Sequence, residues 1–172
     1  LKLMLFVFLA GINVSCSQKE TGVTSPNGKI HMSVNIIDDE NSGFGKVSFN
    51  VEYKDRDVLK KILSDARFGI ETTYQSFTDS LKLVSVSEVK PIEENYKMVT
   101  GKRSHCKNKG NERIYRFENK QGHSFDVSFR IYDDGVAFRY NLQATQENYS
   151  ITKEATAYLI PTGTKRWIQQ YR

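Results

Sequence analysis

In four runs between Lys29 and Leu142 the apolar residues of this chain recur at every second position, and that spacing constrains the fold more than any other feature. Ile30, Met32, Val34 and Ile36 alternate with His31, Ser33 and Asn35; Val47, Phe49, Val51 and Tyr53 alternate with Ser48, Asn50 and Glu52. Successive side chains of a strand point to opposite faces, so each run sets one face on a core and the other in water. Phe125, Val127, Phe129 and Ile131 form a third run, and Val136, Phe138, Tyr140 and Leu142 a fourth. Between them Asp133-Asp134-Gly135 carries the composition of a tight hairpin turn. Ile114–Phe117 leads into a second hairpin turn at Asn119–Gly122, and Asp38–Gly45 reads as a turn-rich loop. Leu81–Val86, Ile151 and Tyr158–Ile160 read as weaker strands. Many short strands joined by Gly, Asp and Asn turns predict an all-β antiparallel sandwich or barrel. One segment departs from this pattern. In Asp57–Ala66 the residues Val58, Leu59, Ile62, Leu63 and Ala66 fit one helical face capped by Asp57, which predicts a short helix or an irregular strand.

A chain of 172 residues has room for one ordinary domain and a core that needs no disulfides. Its formal charge of +5 is mild, and the densest cations (Lys97, Lys102, Arg103, Lys107, Lys109, Arg113, Arg116) are spread over twenty positions. A nucleic-acid interface would need a focused stripe with stacking aromatics, so a solvated loop is the expected reading and no nucleic-acid partner is assigned.

The first residues have a different character. Lys2 precedes an unbroken apolar run from Leu3 to Ile12. Ten helical residues rise about 15 Å, half of a bilayer core of roughly 30 Å, so the run reads as the apolar region of a signal peptide and not as a spanning helix. The junction at Val14-Ser15-Cys16 resembles a bacterial lipobox, although Asn13 stands where Leu is usual. Residues 1–16 are therefore expected to be a lipoprotein signal peptide with Cys16 lipidated, followed by a polar tether at 17–23. The alternative is a plain secretory cleavage with an incidental Cys16. Either way the chain is expected to be exported, and as a lipoprotein it would sit in the periplasm or outer membrane, touching the membrane through its lipid alone. Cys106 then has no thiol to pair with. His105-Cys106 lacks a second ligand pair, so no metal site is expected in this chain.

Common catalytic signatures are missing: there is no Walker loop, H-E-x-x-H, G-x-S-x-G or G-x-G-x-x-G. Three scattered histidines (His31, His105, His123) give little material for a serine triad. Asp133-Asp134 is the obvious carboxylate pair, but Asp is favoured in turns because its side chain bonds nearby backbone. Glu93, Glu94 and Glu112 fall in loop-like stretches and Glu154 precedes a strand, so no catalytic residue is assigned. The terminal nine residues combine aromatic rings, amides and cations in Arg166, Trp167, Gln170 and Tyr171. With Arg139, these are the candidates for contacting sugar or a neighbouring domain, and the domain interface is the favoured role because Trp, Tyr and Arg are enriched there.

Several short motifs occur in a specific order: Ser25-Pro26-Asn27-Gly28-Lys29, Gly101-Lys102-Arg103, Asn111-Glu112-Arg113, Phe129-Arg130, Asp133 to Tyr140, Glu154-Ala155-Thr156 and Arg166-Trp167. Together they resemble the N-terminal domain of glycoside hydrolase family 97, a family of bacterial α-glucosidases and α-galactosidases, from about Thr24 to the last residue. The resemblance implies a β-super-sandwich like galactose mutarotase, occupying 24–172 and ending while the sandwich is still being completed. It implies a catalytic (β/α)8 barrel as partner, an α-linked oligosaccharide as substrate of the parent enzyme, and a calcium ion held mostly by that barrel. On this reading the chain carries no cofactor, and its activity by itself is not expected. A partial sandwich leaves edges and apolar surface uncovered, which predicts marginal stability or aggregation when it is made alone. The alternative is a stand-alone carbohydrate-binding surface lipoprotein.

Overall fold

In a computed structural model, residues 21–39, 42–143 and 149–167 are described. All regular structure among them is strand, and every pairing is antiparallel. The strands are β1 (Gly22–Thr24), β2 (Ile30–Asp38), β3 (Gly45–Asp55), β4 (Val58–Arg67), β5 (Ile70–Thr72) and β6 (Lys82–Val86), followed by β7 (Lys90–Lys97), β8 (His105–Glu118), β9 (Ser124–Tyr132), β10 (Val136–Leu142) and β11 (Ile151–Glu154). One sheet has the order β1-β2-β3-β4; the second runs β10-β9-β8-β6, with β7 also on β8; β11 and β5 make a small third pair. The expected all-β antiparallel super-sandwich is the fold.

The alternating runs form the seam between the two large sheets. Met32, Val34, Val47, Phe49 and Val51 come from the first, and Tyr115, Phe117, Phe125, Val127, Phe129 and Ile131 from the second; all are buried. Aromatic rings interlock there at edge and tilted angles: Phe49 lies 5.3 Å from Phe129 and 5.8 Å from Phe138, and Phe68 lies 5.2 Å from Phe117. Such geometries suit the ring quadrupole, and rings of this size carry most of a core's burial.

Asp57–Ala66 is an irregular strand, not a helix. It is β4, and its pairing with β3 slips twice, between Phe49 and Val51 and between Val51 and Glu52. Asp65 has φ of 49°, and its N–H donates to Asn50 Oδ1 at 2.8 Å. The irregular pairing accounts for the helical spacing, since a bulge re-phases a strand: Leu63 and Ala66, three apart, both reach the core.

Other expectations shift. Gly22 and Val23, read as tether, belong to β1, because Val23 is an apolar side chain that the sandwich buries. Tyr158–Ile160 is not a strand; the segment is held along β4 by an Arg67–Ala157 bridge and a Ser64 N–H donating to Leu159 O at 3.2 Å. Glu93 and Glu94 lie in β7 and Glu112 in β8, not in loops, and Glu154 ends β11. These strands were hidden because charged residues occupy their water-facing positions.

Candidate functional site

Most of the ordered motif residues turn out to bind the fold together. Asn111 Nδ2 donates to Thr24 O at 2.7 Å, Arg113 Nη1 to Gly22 O, and Tyr115 Oη to Thr21 O at 2.6 Å. Three side chains of β8 thus fasten β1 and the residue before it, and the ladder partner of β1 is β2. Burial raises the pKa of the Tyr115 phenol, keeping it a neutral donor. Asp133 reaches beyond its own turn: its Oδ1 accepts the N–H of Asn27 at 2.9 Å, joining the Ser25–Lys29 turn to the β9–β10 hairpin. Arg130 Nε donates to Glu112 at 2.6 Å and its Nη1 to Glu94 at 2.5 Å, spanning β9, β8 and β7. A chain of donors runs from Gly69 N–H to Tyr140 Oη (2.9 Å), on to Thr156 Oγ1 (2.8 Å) and then to Glu154 (2.8 Å). It ties β10 to the segment after β11.

The predicted contact residues are not brought together. Arg139 is exposed on β10, opposite Ser128. Arg166 and Trp167 lie beyond the last strand, Trp167 being 87% exposed, and no hydrogen bond or ion pair among the described residues joins them to Arg139. Gln170, Tyr171 and Cys16 fall outside the described residues. The apolar surface left uncovered includes Val58, Leu59 and Ile62 of β4, which pairs only with β3 in its sheet, and Tyr158 and Leu159 of the segment lying along β4.

His105 and Cys106 are consecutive on β8 and so point to opposite faces, which prevents them from sharing one ion. Among the described residues no three His, Cys, Asp or Glu converge in a way that would hold a metal.

One concave feature escaped the sequence reading. A cavity of about 180 Å³ opens between Tyr74 and Tyr149, with the amides of Gln75 and Gln143, the imidazole of His123, and apolar surface from Phe77 and Leu142. Buried Asn119 organises one wall. Its Oδ1 accepts the N–H groups of Gln121 (3.1 Å) and His123 (3.0 Å), and its Nδ2 donates to Ser76 O at 3.2 Å. Thr72 fixes the neighbouring turn by accepting Gln75 N–H at 3.0 Å. The His123 Nδ1 is buried without a partner. No sequence pattern pointed here, because the walls come from four separated segments.

Comparison with known proteins places these features in a family. Residues 23–172 match the family described as Glycosyl-hydrolase 97 N-terminal. A probable retaining alpha-galactosidase of Streptomyces bingchenggensis (strain BCW-1) is 30% identical over 113 residues, which is 66% of this chain and 17% of that protein. A crystal structure of a beta-arabinopyranosidase superposes with a TM-score of 0.69 at 30% identity, covering 81% of this chain and 21% of that one. A glycoside hydrolase family 97 enzyme from Pseudoalteromonas sp. strain K8, in complex with panose, superposes with a TM-score of 0.66 at 27% identity, covering 82% of this chain and 20% of that one. The chain spans about a fifth of the length of these relatives. Its fold, its ordered motifs and the profile match over residues 23–172 agree, and the chain belongs to the glycosyl-hydrolase 97 N-terminal domain family.

Proposed function

We propose that this domain is the non-catalytic N-terminal module of an α-glycosidase of α-glucosidase or α-galactosidase type, packing on a catalytic barrel and helping to shape its sugar site. The observation that carries the reading is a division of labour among the side chains. The polar motif residues Asn111, Glu112, Arg113, Arg130, Asp133 and Tyr140 are engaged within the sandwich, whereas Ile62, Leu159 and Trp167 stand 44%, 52% and 87% exposed. Apolar and aromatic surface on and after an edge strand suits burial against a second domain better than it suits water. In the same reading the chain is exported, reaches the periplasm or outer membrane, and is attached there by lipid on Cys16. The apolar run from Leu3 to Ile12 supports export.

The coding DNA beyond the Arg172 codon tests the enzyme-module reading. An in-frame (β/α)8 barrel with acidic residues at the C-terminal ends of its strands is the expected finding. A stop codon at that point would overturn it and leave the stand-alone carbohydrate-binding lipoprotein.

A further inference from the structure

We infer that the outer end of the β7–β8 hairpin is an arm that docks on an anionic lipid surface. The inference rests on the domain's own residues and needs neither a barrel nor a lipid on Cys16. It starts from a motif that the sandwich leaves unused: Lys102 and Arg103 of Gly101-Lys102-Arg103 are exposed and, among the described residues, make no hydrogen bond or ion pair. From Asn95 to Asn111 the chain has five cations (Lys97, Lys102, Arg103, Lys107, Lys109) and no Asp or Glu. Of the chain's 25 Lys and Arg, 20 lie elsewhere and match its 20 Asp and Glu, so the net charge of +5 belongs to this stretch. Glu93, just outside it, faces Lys107 at 3.9 Å and Lys109 at 3.7 Å, which leaves the three outermost cations unopposed among the described residues. Spacing along the chain hid the patch. Pairing of Asn95 with Lys107 and of Lys97 with His105 puts Lys97 and Lys107, ten positions apart, on one face of the ribbon.

Shape and apolar surface name the partner. Strand β9 pairs with β8 only from Gly110 onward, so His105–Lys109 is paired with β7 alone. Five strand residues rise about 17 Å, which carries the 98–104 loop clear of the edge of β9. A Met98 N–H donating to Ser104 O at 2.8 Å closes that loop. At its tip Val99 is 100% exposed and Met98 45%, with Tyr96 at 46% beside them. Cations alone would suit any polyanion. Apolar side chains at the very tip, flanked by cations, suit a membrane interface, where Val99 and Met98 enter the acyl boundary while Lys and Arg stay at the phosphates. Tyr96 has the amphipathic ring favoured at that depth.

The test uses the full chain carrying Val99→Trp, whose added indole reports on the tip, while the unsubstituted chain gives the background of Trp167. Vesicles are made of phosphatidylglycerol with phosphatidylethanolamine, or of phosphatidylcholine alone, each with brominated acyl chains. Insertion of residues 3–12 would be common to both vesicles, so the difference between them is read. Quenching at position 99 is expected on the anionic vesicles, with little on phosphatidylcholine and little in about 1 M salt, where charges are screened within about 3 Å. Lys102→Gln with Arg103→Gln, added to the reporter, should weaken binding to the anionic vesicles about 25-fold, at about fivefold for each basic residue. Lys61→Gln with Lys120→Gln removes the same charge from exposed positions outside the hairpin and should leave binding within about twofold. All four of these side chains are exposed, so an unchanged Tm checks the fold. Absence of quenching on the anionic vesicles would overturn the inference, as would quenching that survives Lys102→Gln with Arg103→Gln. Capture by soluble polyglutamate without quenching on the vesicles would assign the arm to an acidic protein and overturn it equally.

Discussion

Asn119 offers the sharpest test of how this domain is held together. It is 2% exposed, and it joins the β8–β9 hairpin to the turn at 72–76 through its side chain alone. Replacing it with Ala removes three bonds of ordinary length, to Gln121 N–H (3.1 Å), His123 N–H (3.0 Å) and Ser76 O (3.2 Å). A fourth, to Gln75 Oε1 at 3.4 Å, is too long to count for much. At about 1 kcal/mol for each bond, and more where a buried partner stays dry, Asn119→Ala should cost about 3 kcal/mol. For a domain of this size that is about 6–12 °C in Tm. Asn119→Asp keeps the two acceptor bonds but buries a carboxylate oxygen against the Ser76 carbonyl, so at neutral pH it should cost at least as much as Asn119→Ala in a urea titration, and less where the carboxyl is protonated. Amide exchange at Gln121 and His123 should rise in Asn119→Ala. A loss under about 1 kcal/mol for Asn119→Ala would refute the role given to this side chain.

Other outcomes follow from the same contacts. Arg130→Met leaves Glu112, whose side chain is 15% exposed, without its partner; a loss of about 1–3 kcal/mol is expected, smaller in 1 M salt, and no salt dependence would contradict the ionic account. Gly45→Ala should cost about 3 kcal/mol in the urea midpoint, because an added Cβ would lie 2.0 Å from the Ile37 carbonyl oxygen, which is backbone and cannot swing aside; a loss below 1 kcal/mol would show that the strand end yields easily. Burial raises the phenols of both Tyr115 and Tyr140 above their usual value near 10, so the fold favours their neutral forms. Their contribution is complete below about pH 10 and is lost as pH climbs through the raised values; Tm should be flat with respect to these groups and then fall, less steeply in Tyr115→Phe, and a Tm that rises above pH 10 would reverse the sign. Val58→Glu and Leu159→Glu should leave Tm within about 1 °C while reducing self-association on a sizing column, since both side chains are already in water; a large drop in Tm would show that they are packed.

The long strands were legible because each needed only its own neighbours in sequence. Phe125, Val127, Phe129 and Ile131 alternate with polar residues, and all four are buried on β9. Asp133-Asp134-Gly135 was legible as a turn, and the Tyr132 N–H does donate to Gly135 O across it at 2.8 Å. Strand β7 was not legible, because Lys90–Lys97 carries charge at half of its positions and is defined by pairing with β8. Its Glu94 gained meaning only when Arg130, thirty-six positions later, was seen beside it.

Period-two patterning, turn chemistry and an ordered set of motifs therefore determined the all-β class, the main strands and the family from sequence. Those signals reside in dihedral preferences and side-chain alternation over a few residues, which the chain carries locally. Tertiary structure decided the rest: that Asn111 and Arg113 fasten β1, that Asp133 reaches Asn27, that β4 is a bulged strand and not a helix, and that Tyr74 and Tyr149 share a cavity. Each of these depends on which distant backbone a side chain meets when the two sheets close on each other, and the spacing along the chain does not encode that meeting.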